Sequence, residues 1–212
     1  MNASKYHHGD LKRALLDAAE ELLEEVGLQG FTLRACARRA GVSHAAPKHH
    51  FGDARGLLSA VAERGFGRLA DALAAAIHPV KGDLVAEIQA TCQSYVGFAE
   101  NHPEHFRIMF RDDLICIDRE HPPEPVARTF MELTNVILRQ RGEPELKFSP
   151  YDPDRSDAVI NDIILGWCYI HGYAHLRLEG QLTMIPENTH LAQMNLAAER
   201  LSNLLSAGHN AE

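Results

Sequence analysis

The sequence predicts an all-α protein in which an N-terminal three-helix helix-turn-helix domain is joined by a long helix to a C-terminal helical domain. Apolar residues recur at helical spacing along most of the 212 residues, and no segment of useful length alternates with the period of a β-strand. A stretch near residue 40 also has the pattern of two short helices joined by a glycine turn. We expect the domains to span 1–56, 57–78 and 79–212.

The first predicted helix runs from Asp10 to Gly27, where the glycine ends it. It is amphipathic because one face carries a continuous apolar stripe. The stripe consists of Leu11, Ala14, Leu15, Ala18, Ala19, Leu22, Leu23 and Val26.

The second predicted helix begins after Thr32, whose hydroxyl can cap its N-terminus. Gly41 ends this helix, since a glycine tolerates the left-handed conformation that a helix C-terminus often needs. Small and apolar residues share one face, and arginines share the other. The first set is Leu33, Cys36, Ala37 and Ala40, and the second is Arg34, Arg38 and Arg39.

The third helix is predicted to be short, with Ser43 as its N-cap, a start near His44 and Pro47 in its first turn. In a helix-turn-helix the N-terminal residues of this second element meet base edges in the major groove. On that geometry His44 and Ala45 face bases, and Lys48 and His49 lie nearer phosphate. The alternative interpretation is a plain helical hairpin in a protein core.

The remaining two thirds of the chain predict further helices. A long amphipathic helix spans Arg55 to Ile77, and the residues 78–82 break it with proline and glycine. Later helical patterns cover about 83–101, 103–113, 124–141, 155–180 and 187–207. The proline-rich loop 141–153 is expected to be the most irregular and mobile stretch.

Charge and composition favour a soluble protein that binds a partner site-specifically. The net charge is −8, yet residues 1–60 carry eight Lys and Arg against seven Asp and Glu, which leaves −9 for the remainder. Five of the thirteen histidines also lie in this first segment, where protonation would add to attraction for phosphate. No apolar run approaches the roughly 20 residues of a membrane span. A cytoplasmic protein is expected, with no membrane partner.

The four cysteines give no sign of a disulfide framework or a metal site. Cys36, Cys92, Cys116 and Cys168 lie far apart and lack paired metal-ligand spacing. They are predicted to be small core residues.

Several motifs together resemble the DNA-binding domain of tetracycline-repressor-type (TetR/AcrR) regulators. They are Tyr-His-His-Gly-Asp-Leu at 6–11, Glu-Glu-Val-Gly at 24–27, Phe-Thr-Leu-Arg at 31–34, Ala-Gly-Val-Ser at 40–43 and His-Phe-Gly at 50–52. The later segments 102–110 and 166–172 are similar to a C-terminal ligand domain of the same family, which includes a Trp/His-Gly signature.

The resemblance implies a ligand-responsive transcriptional regulator that binds double-stranded DNA. It implies a repressor that a small molecule releases from a palindromic operator, and a homodimer formed by the last two helices. The residues carried over to DNA contact are Thr32, Arg34, Ser43, His44, Ala45, Lys48, His49, His50 and Arg55.

Two departures from the family pattern concern the DNA contact. Lys48 stands where a phosphate-contacting tyrosine is usual, and Ala54 replaces the lysine usual after the His-Phe pair. Lys48 can still neutralise a phosphate, and Arg55 is predicted to take over from the missing lysine. We expect DNA binding to persist with an altered sequence preference.

The effector site is predicted in the C-terminal domain, where aromatic and sulfur side chains could line an apolar cavity. The candidate ligand-binding residues are Tyr95, Phe106, Met109, Phe110, Trp167 and His171, within a wider set that adds Phe98, Tyr169, Asn161 and Arg107. The alternative is that these side chains are simply packed core. His171 and His175 lie four apart on one helix, but no third ligand follows at linked spacing, so neither a metal nor a cofactor is expected.

Two other functions are weighed against a ligand-responsive repressor. A redox- or metal-sensing regulator on the same scaffold would use Cys92, Cys116 or Cys168. A metal-dependent hydrolase is a further hypothesis, but the sequence lacks metal-ligand spacing, a Gly-x-Ser-x-Gly elbow and a glycine-rich phosphate loop. The sequence therefore predicts a regulator rather than an enzyme.

Overall fold

The computed structural model describes residues 8–118, 120–147 and 154–209, and every regular element within these ranges is helical. The helices are α1 (His8–Gly30), α2 (Leu33–Arg39), α3 (Ala46–Phe51), α4 (Ala54–Ile77), α5 (Leu84–Asn101), α6 (Pro103–Met109), α7 (Glu124–Gln140), α8 (Asp157–Leu178) and α9 (His190–His209). Short 3-10 turns lie at His78–Val80 and Glu187–Thr189. The all-α prediction is confirmed.

The chain divides into two compact units, and each unit is built from two separate stretches of the sequence. One unit combines residues 1–65 with 104–121, and the other combines 66–103 with 122–212. Helix α4 contributes its first half to one unit and its second half to the other. The predicted ranges 1–56 for DNA binding, 57–78 for the connecting helix and 79–212 for ligand binding and dimerisation are functional assignments. They stay a prediction.

The first unit packs α1, α2, the first half of α4 and α6 around one apolar core. Its fully buried side chains include Leu15 and Leu23 of α1, Leu57 of α4, and Phe106 and Met109 of α6. Helices α4 and α6 approach closely at Gly65, where an added Cβ would lie 2.8 Å from Met109 Sδ.

A partly buried cluster of polar side chains also ties three helices of this unit together. The carboxylate of Glu20 in α1 lies 3.1 Å from His105 Nε2 in α6 and 3.1 Å from an Arg64 guanidinium nitrogen in α4. The same guanidinium lies 2.6 Å from Asp17. These contacts hold α6 against α1 and α4.

The predicted end of the first helix is confirmed, and one residue of its apolar stripe is wrong. Gly27 has a left-handed φ of 65° and a non-helical ψ of −179°, so the regular helix stops there, and a short helical segment follows as far as Gly30. Val26 was placed on the apolar stripe, but 43% of it is exposed, at the last position before the kink at Gly27.

The predicted cap of α3 is also wrong, whereas that of α2 is confirmed. Thr32 Oγ1 accepts a 3.1 Å hydrogen bond from the Ala35 amide. Ser43 instead joins a turn in which its carbonyl accepts from the Ala46 amide, so the N-cap of α3 is Ala45, with no side-chain cap. Helix α3 therefore begins about two residues later than predicted.

The second unit is a helical bundle centred on α5. Helix α5 packs against α8 and α9, and α7 packs against α8. The predicted helix 103–113 ends earlier, at Met109, because a turn follows at 111–114. The stretch 141–147 contains no helix, and the remainder of the predicted loop, 148–153, lies outside the described residues. None of the helices in the described ranges is long and apolar enough to cross a membrane.

Candidate nucleic-acid interface and ligand cavity

Helices α2 and α3 form a helix-turn-helix whose turn depends on one glycine. Gly41 has a φ of 66°, a conformation that residues with a Cβ rarely adopt. The Val42 amide donates to the Ala37 carbonyl at 3.0 Å and closes the turn. Buried Pro47 lies in the first turn of α3, as predicted. Arg39 of α2 pairs with Glu21 and Glu25 of α1, which anchors the motif to the rest of its unit.

The exposed face of this motif carries most of the predicted DNA-contact residues. The exposed members are Thr32, Arg34, Ser43, His44, Ala45, Lys48, His49 and Arg55. The charged groups of Arg34 and Lys48 make no ion pair with any residue that the structure describes. His50 is half-buried, and its ring lies edge-on to His49 with 5.2 Å between centroids. Among the described members of the predicted DNA-contact set, Arg34 and Lys48 are thus unpaired cations, and His44 and His49 are exposed imidazoles.

Arg55 is the exception, because its guanidinium is engaged within its own unit. Its Nε donates to the Ile115 carbonyl at 2.9 Å, and a terminal nitrogen donates to the Asp112 carbonyl at 2.7 Å. The structure thus engages two of the guanidinium nitrogens within the unit while Arg55 stays exposed, and its substitution for the missing lysine after the His-Phe pair stays a prediction. Sequence spacing alone could not reveal these carbonyls, which lie about 60 residues further along the chain.

We expect replacement of Arg55 by Ala to reduce stability rather than the electrostatic part of DNA binding. Two carbonyls lose a charged donor, and such hydrogen bonds contribute about 1.5–3 kcal/mol each at most. Chemical denaturation measures the loss, and the salt dependence of DNA affinity provides the second readout. A variant of unchanged stability whose salt dependence falls would contradict this assignment.

Sequence analysis missed Gly56, which fixes the end of α3 against the start of α4. A Cβ at this position would lie 2.0 Å from the Phe51 carbonyl oxygen. The Gly56 amide donates to Asp53 Oδ1 at 2.8 Å. The only sequence signal is a glycine directly after a short loop, which is common in helix starts of many kinds.

A cavity lies within the second unit, between α5, α7, α8 and α9. It encloses about 70 Å³, within a recess of about 550 Å³ when its open mouth is included. Its apolar lining consists of Ile88, Phe130, Leu133, Val136, Ile137, Ile163, Gly166, Ile170 and Leu201. The lining residues with polar atoms are Thr91, Cys92, Thr134, Trp167 and Tyr169.

The six predicted ligand-binding residues are not brought together around this cavity. Trp167 lines it. Phe106, Met109 and Phe110 belong to the first unit, where the Phe106 and Phe110 rings lie 5.3 Å apart and Met109 packs near Gly65. The sequence pattern did not predict this separation, because α6 follows α5 in the chain but packs in the other unit.

Tyr95 and His171 contact each other and are not among the residues that line the cavity. The buried Tyr95 hydroxyl lies 2.8 Å from His171 Nδ1. The His171 ring lies 5.8 Å from the Trp167 ring between centroids. The predicted ligand-binding residues Tyr95, Trp167 and His171 therefore form one cluster in the second unit.

Burial lowers the pKa of His171 from 6.5 to about 4, and the neighbouring His175 adds to the shift. Protonation puts a charge on this half-buried ring, and a protonated Nδ1 donates to Tyr95 Oη instead of accepting from it. Lowering the pH therefore opposes the burial of the ring.

We expect His171 to make the protein less stable as the pH falls from about 6.5 to about 4. Across this interval the unfolded chain binds a proton that the folded chain does not, so stability is greatest above it and is lost below. The variant His171→Gln, which retains an acceptor for Tyr95, should show a shallower loss in denaturation midpoints between pH 7 and pH 4.5. Exposed His78→Gln serves as the matched control. Identical pH profiles for His171→Gln and the unmodified chain would refute the expectation.

The histidines and cysteines are the residues on which a sensor function would depend. The His171 and His175 rings lie 4.6 Å apart, but no group of three potential metal ligands occurs in the parts of the chain that the structure describes. Cys36 and Cys92 are buried as predicted, and burial raises their pKa values to about 11 and about 12. The core prediction is wrong for Cys116 and Cys168, which are exposed because their segments turn those positions outward.

The fold and the exposed motif define a helix-turn-helix protein with a separate helical C-terminal domain. Family models agree with both parts. The model for bacterial regulatory proteins of the tetR family matches residues 15–61, and that for the tetracyclin repressor-like C-terminal domain matches residues 88–198. The chain belongs to the tetR family of bacterial regulatory proteins.

Individual relatives resemble different parts of the chain. The HTH-type transcriptional regulator BetI of Escherichia coli (strain K12 / DH10B) is 38% identical over 80 residues, which cover 37% of this chain and 41% of that relative. A solved structure of unknown function from Rhodococcus sp. RHA1 is 30% identical with a TM-score of 0.67, covering 97% of this chain and 98% of that one. A TetR variant from Acinetobacter baumannii AYE in complex with minocycline shares the fold at 21% identity and a TM-score of 0.60, covering 94% and 96%.

Proposed function

We propose that this chain is a ligand-responsive transcriptional regulator, a repressor that a small molecule releases from a palindromic operator. The observation that carries the proposal is the exposed face of the helix-turn-helix, with its unpaired cations Arg34 and Lys48. Membership of a family of regulatory proteins supports this function over that of an enzyme.

The proposed DNA contact uses the first residues of α3 and the N-terminus of α2. His44 and Ala45 face base edges, since the start of the second helix of such a motif enters the major groove. Lys48, His49 and Arg34 lie toward phosphates, and Thr32 and Ser43 offer hydroxyls to the backbone. His50 contributes through its contact with His49.

The proposed regulator is a homodimer that pairs through α8 and α9. Both helices expose large apolar side chains within the described residues, namely Ile164, Leu165, Trp167, Leu176, Leu191, Leu196 and Leu204. A single short recognition helix spans few base pairs, whereas two helices about 34 Å apart reach successive major grooves on one face of DNA.

We expect Leu204→Glu to convert the protein to a monomer, because it places a charge on this apolar face. Leu204 is 58% exposed, so the change leaves the core of each subunit intact. Met184→Glu is the matched control, since Met184 is 76% exposed but lies between the two helices. Light scattering gives the masses. A monomeric mass for the unmodified chain would contradict the proposed dimer.

The proposed effector acts from the second unit through linkage. A molecule that binds one dimer geometry more tightly shifts the population toward it, and operator affinity falls if that geometry misplaces the two recognition helices. The coupling is reciprocal, so operator DNA must weaken effector binding by the same factor.

The regulatory function can be tested with fragmented chromosomal DNA of the host. The purified protein is expected to retain a few fragments from promoter regions, and transcription in vitro from those promoters should fall as protein is added. Uniform retention of all fragments at near-physiological salt would indicate nonspecific binding and overturn the proposal.

A further inference from the structure

A residue in the wall of the second unit's cavity carries a buried hydroxyl group with no hydrogen-bond partner among the described residues. The ring of Tyr169 lines the cavity, and its Oη atom is buried with no hydrogen-bond partner among the residues that the structure describes. Buried polar groups in native proteins are nearly always paired, and the exceptions call for an explanation. A bound molecule that pairs with Tyr169 Oη provides one.

The remainder of the cavity wall carries no charge. None of the described residues that line it is Asp, Glu, Lys, Arg or His. The Thr91 hydroxyl already donates to the Glu87 carbonyl at 2.7 Å, and burial raises the pKa of the Cys92 thiol to about 12, so this thiol stays neutral. A charged molecule would lose its hydration here without gaining a counter-charge.

The dimensions of the cavity favour a small molecule. The cavity volume is about 70 Å³, which is below the roughly 300–1,000 Å³ of pockets that hold drug-sized ligands. Gly166 keeps α8 close to α7 at the wall, since a Cβ there would lie 2.7 Å from Ile137 Cδ1. One ring, or a short branched chain, would fill such a space.

We propose that the effector is a small, uncharged and mainly apolar molecule whose polar group exchanges a hydrogen bond with Tyr169 Oη. This inference rests on the proposed ligand-responsive function and specifies the chemical class of the ligand. Tyr169 thereby provides the polar recognition, and the aliphatic and aromatic wall provides most of the contact area.

The single tryptophan of the chain, Trp167, lines the same cavity and reports on binding directly. Its fluorescence can be titrated in the full chain with three probes of similar shape: cyclohexanone, methylenecyclohexane and cyclohexanecarboxylate. We expect the two neutral probes to change the emission with saturation, and the carboxylate to bind at least tenfold more weakly than cyclohexanone.

The variant Tyr169→Phe separates the hydroxyl from the cavity itself. It should weaken cyclohexanone about three- to tenfold, the range of one neutral hydrogen bond, and leave methylenecyclohexane within about twofold. Stability should not fall, because the hydroxyl that is removed has no partner. Tyr173→Phe is the matched control, since its hydroxyl bonds to His190 Nδ1 at 3.0 Å and its ring does not line the cavity.

Three results would overturn the inference: no Trp167 response to either neutral probe, carboxylate binding as tight as that of the ketone, or equal loss of cyclohexanone affinity in both tyrosine variants. Because these titrations contain no DNA, they are independent of the regulatory proposal. Neutral probes that bind as expected but never alter operator affinity would support the ligand class and contradict ligand-responsive repression.

Discussion

Replacing Lys48 by Ala is expected to lower operator affinity about 30-fold at 150 mM salt and to reduce the slope of log affinity against log salt by about 2. Each phosphate contact releases counterions with a slope of about 0.9, and a dimer loses two such contacts. Lys48 is exposed on α3 and makes no ion pair with a described residue, so its ammonium is available to phosphate. Fluorescence anisotropy over a range of salt concentrations measures both quantities.

Lys81→Ala is the matched control for this experiment. Lys81 belongs to the second unit, where its ammonium lies 2.9 Å from a carboxylate oxygen of Glu145. It removes the same charge from the chain, so it tests whether net charge alone explains the loss. An unchanged salt slope in Lys48→Ala would show that Lys48 does not contact phosphate. Lys48 would then lack the function of the phosphate-contacting tyrosine that is usual at this position in the family.

Replacing Arg139 by Met is expected to destabilise the protein by about 3–5 kcal/mol, because it leaves a buried carboxylate unpaired. Glu87 is completely buried and lies 2.5 Å from Arg139 Nε. After the substitution its remaining described hydrogen bond is that from the Gly82 amide, at 2.7 Å. Chemical denaturation at fixed protein concentration measures the loss, since dimerisation makes stability depend on concentration.

A second variant separates the charge effect from the loss of packing. The double variant Glu87→Gln/Arg139→Met removes both charges and keeps an acceptor for the Gly82 amide, so it should recover most of the lost stability. Arg128→Met is the control for a partly exposed pair, since Arg128 contacts Asp71 at the surface, and it should cost about 1 kcal/mol or less. A double variant as unstable as Arg139→Met would contradict the unpaired-charge explanation.

Local chemistry made the helix-turn-helix predictable. The cap at Thr32, the left-handed Gly41 and the position of Pro47 each depend on neighbours within a few residues, and the structure contains all three. Ser43 failed as a cap for a reason that is also local. The Ser43 carbonyl joins a turn that precedes α3, and the helix begins about two residues later than predicted. The sequence pattern is compatible with either arrangement.

The cavity was less predictable because its wall depends on which helices meet. Phe130 of α7 and Thr91 of α5 face α8 only through tertiary packing. Helix α8 has apolar residues on all sides, so periodicity could not predict that Ile164 and Trp167 are partly exposed while Ile170 is buried. The exposed apolar residues of α8 fit the proposed dimer face. In the sequence, apolar residues of a dimer face have the same helical spacing as apolar residues of a subunit core, so the two cannot be distinguished there.

The central claim is that a dimer of this chain recognises a palindrome. Selection of binding sites from a random double-stranded DNA pool, at near-physiological salt to suppress nonspecific attraction, tests it most directly. The predicted result is enrichment of a palindrome whose half-sites are about one helical turn apart. A folded, dimeric protein that enriches no sequence would contradict the claim.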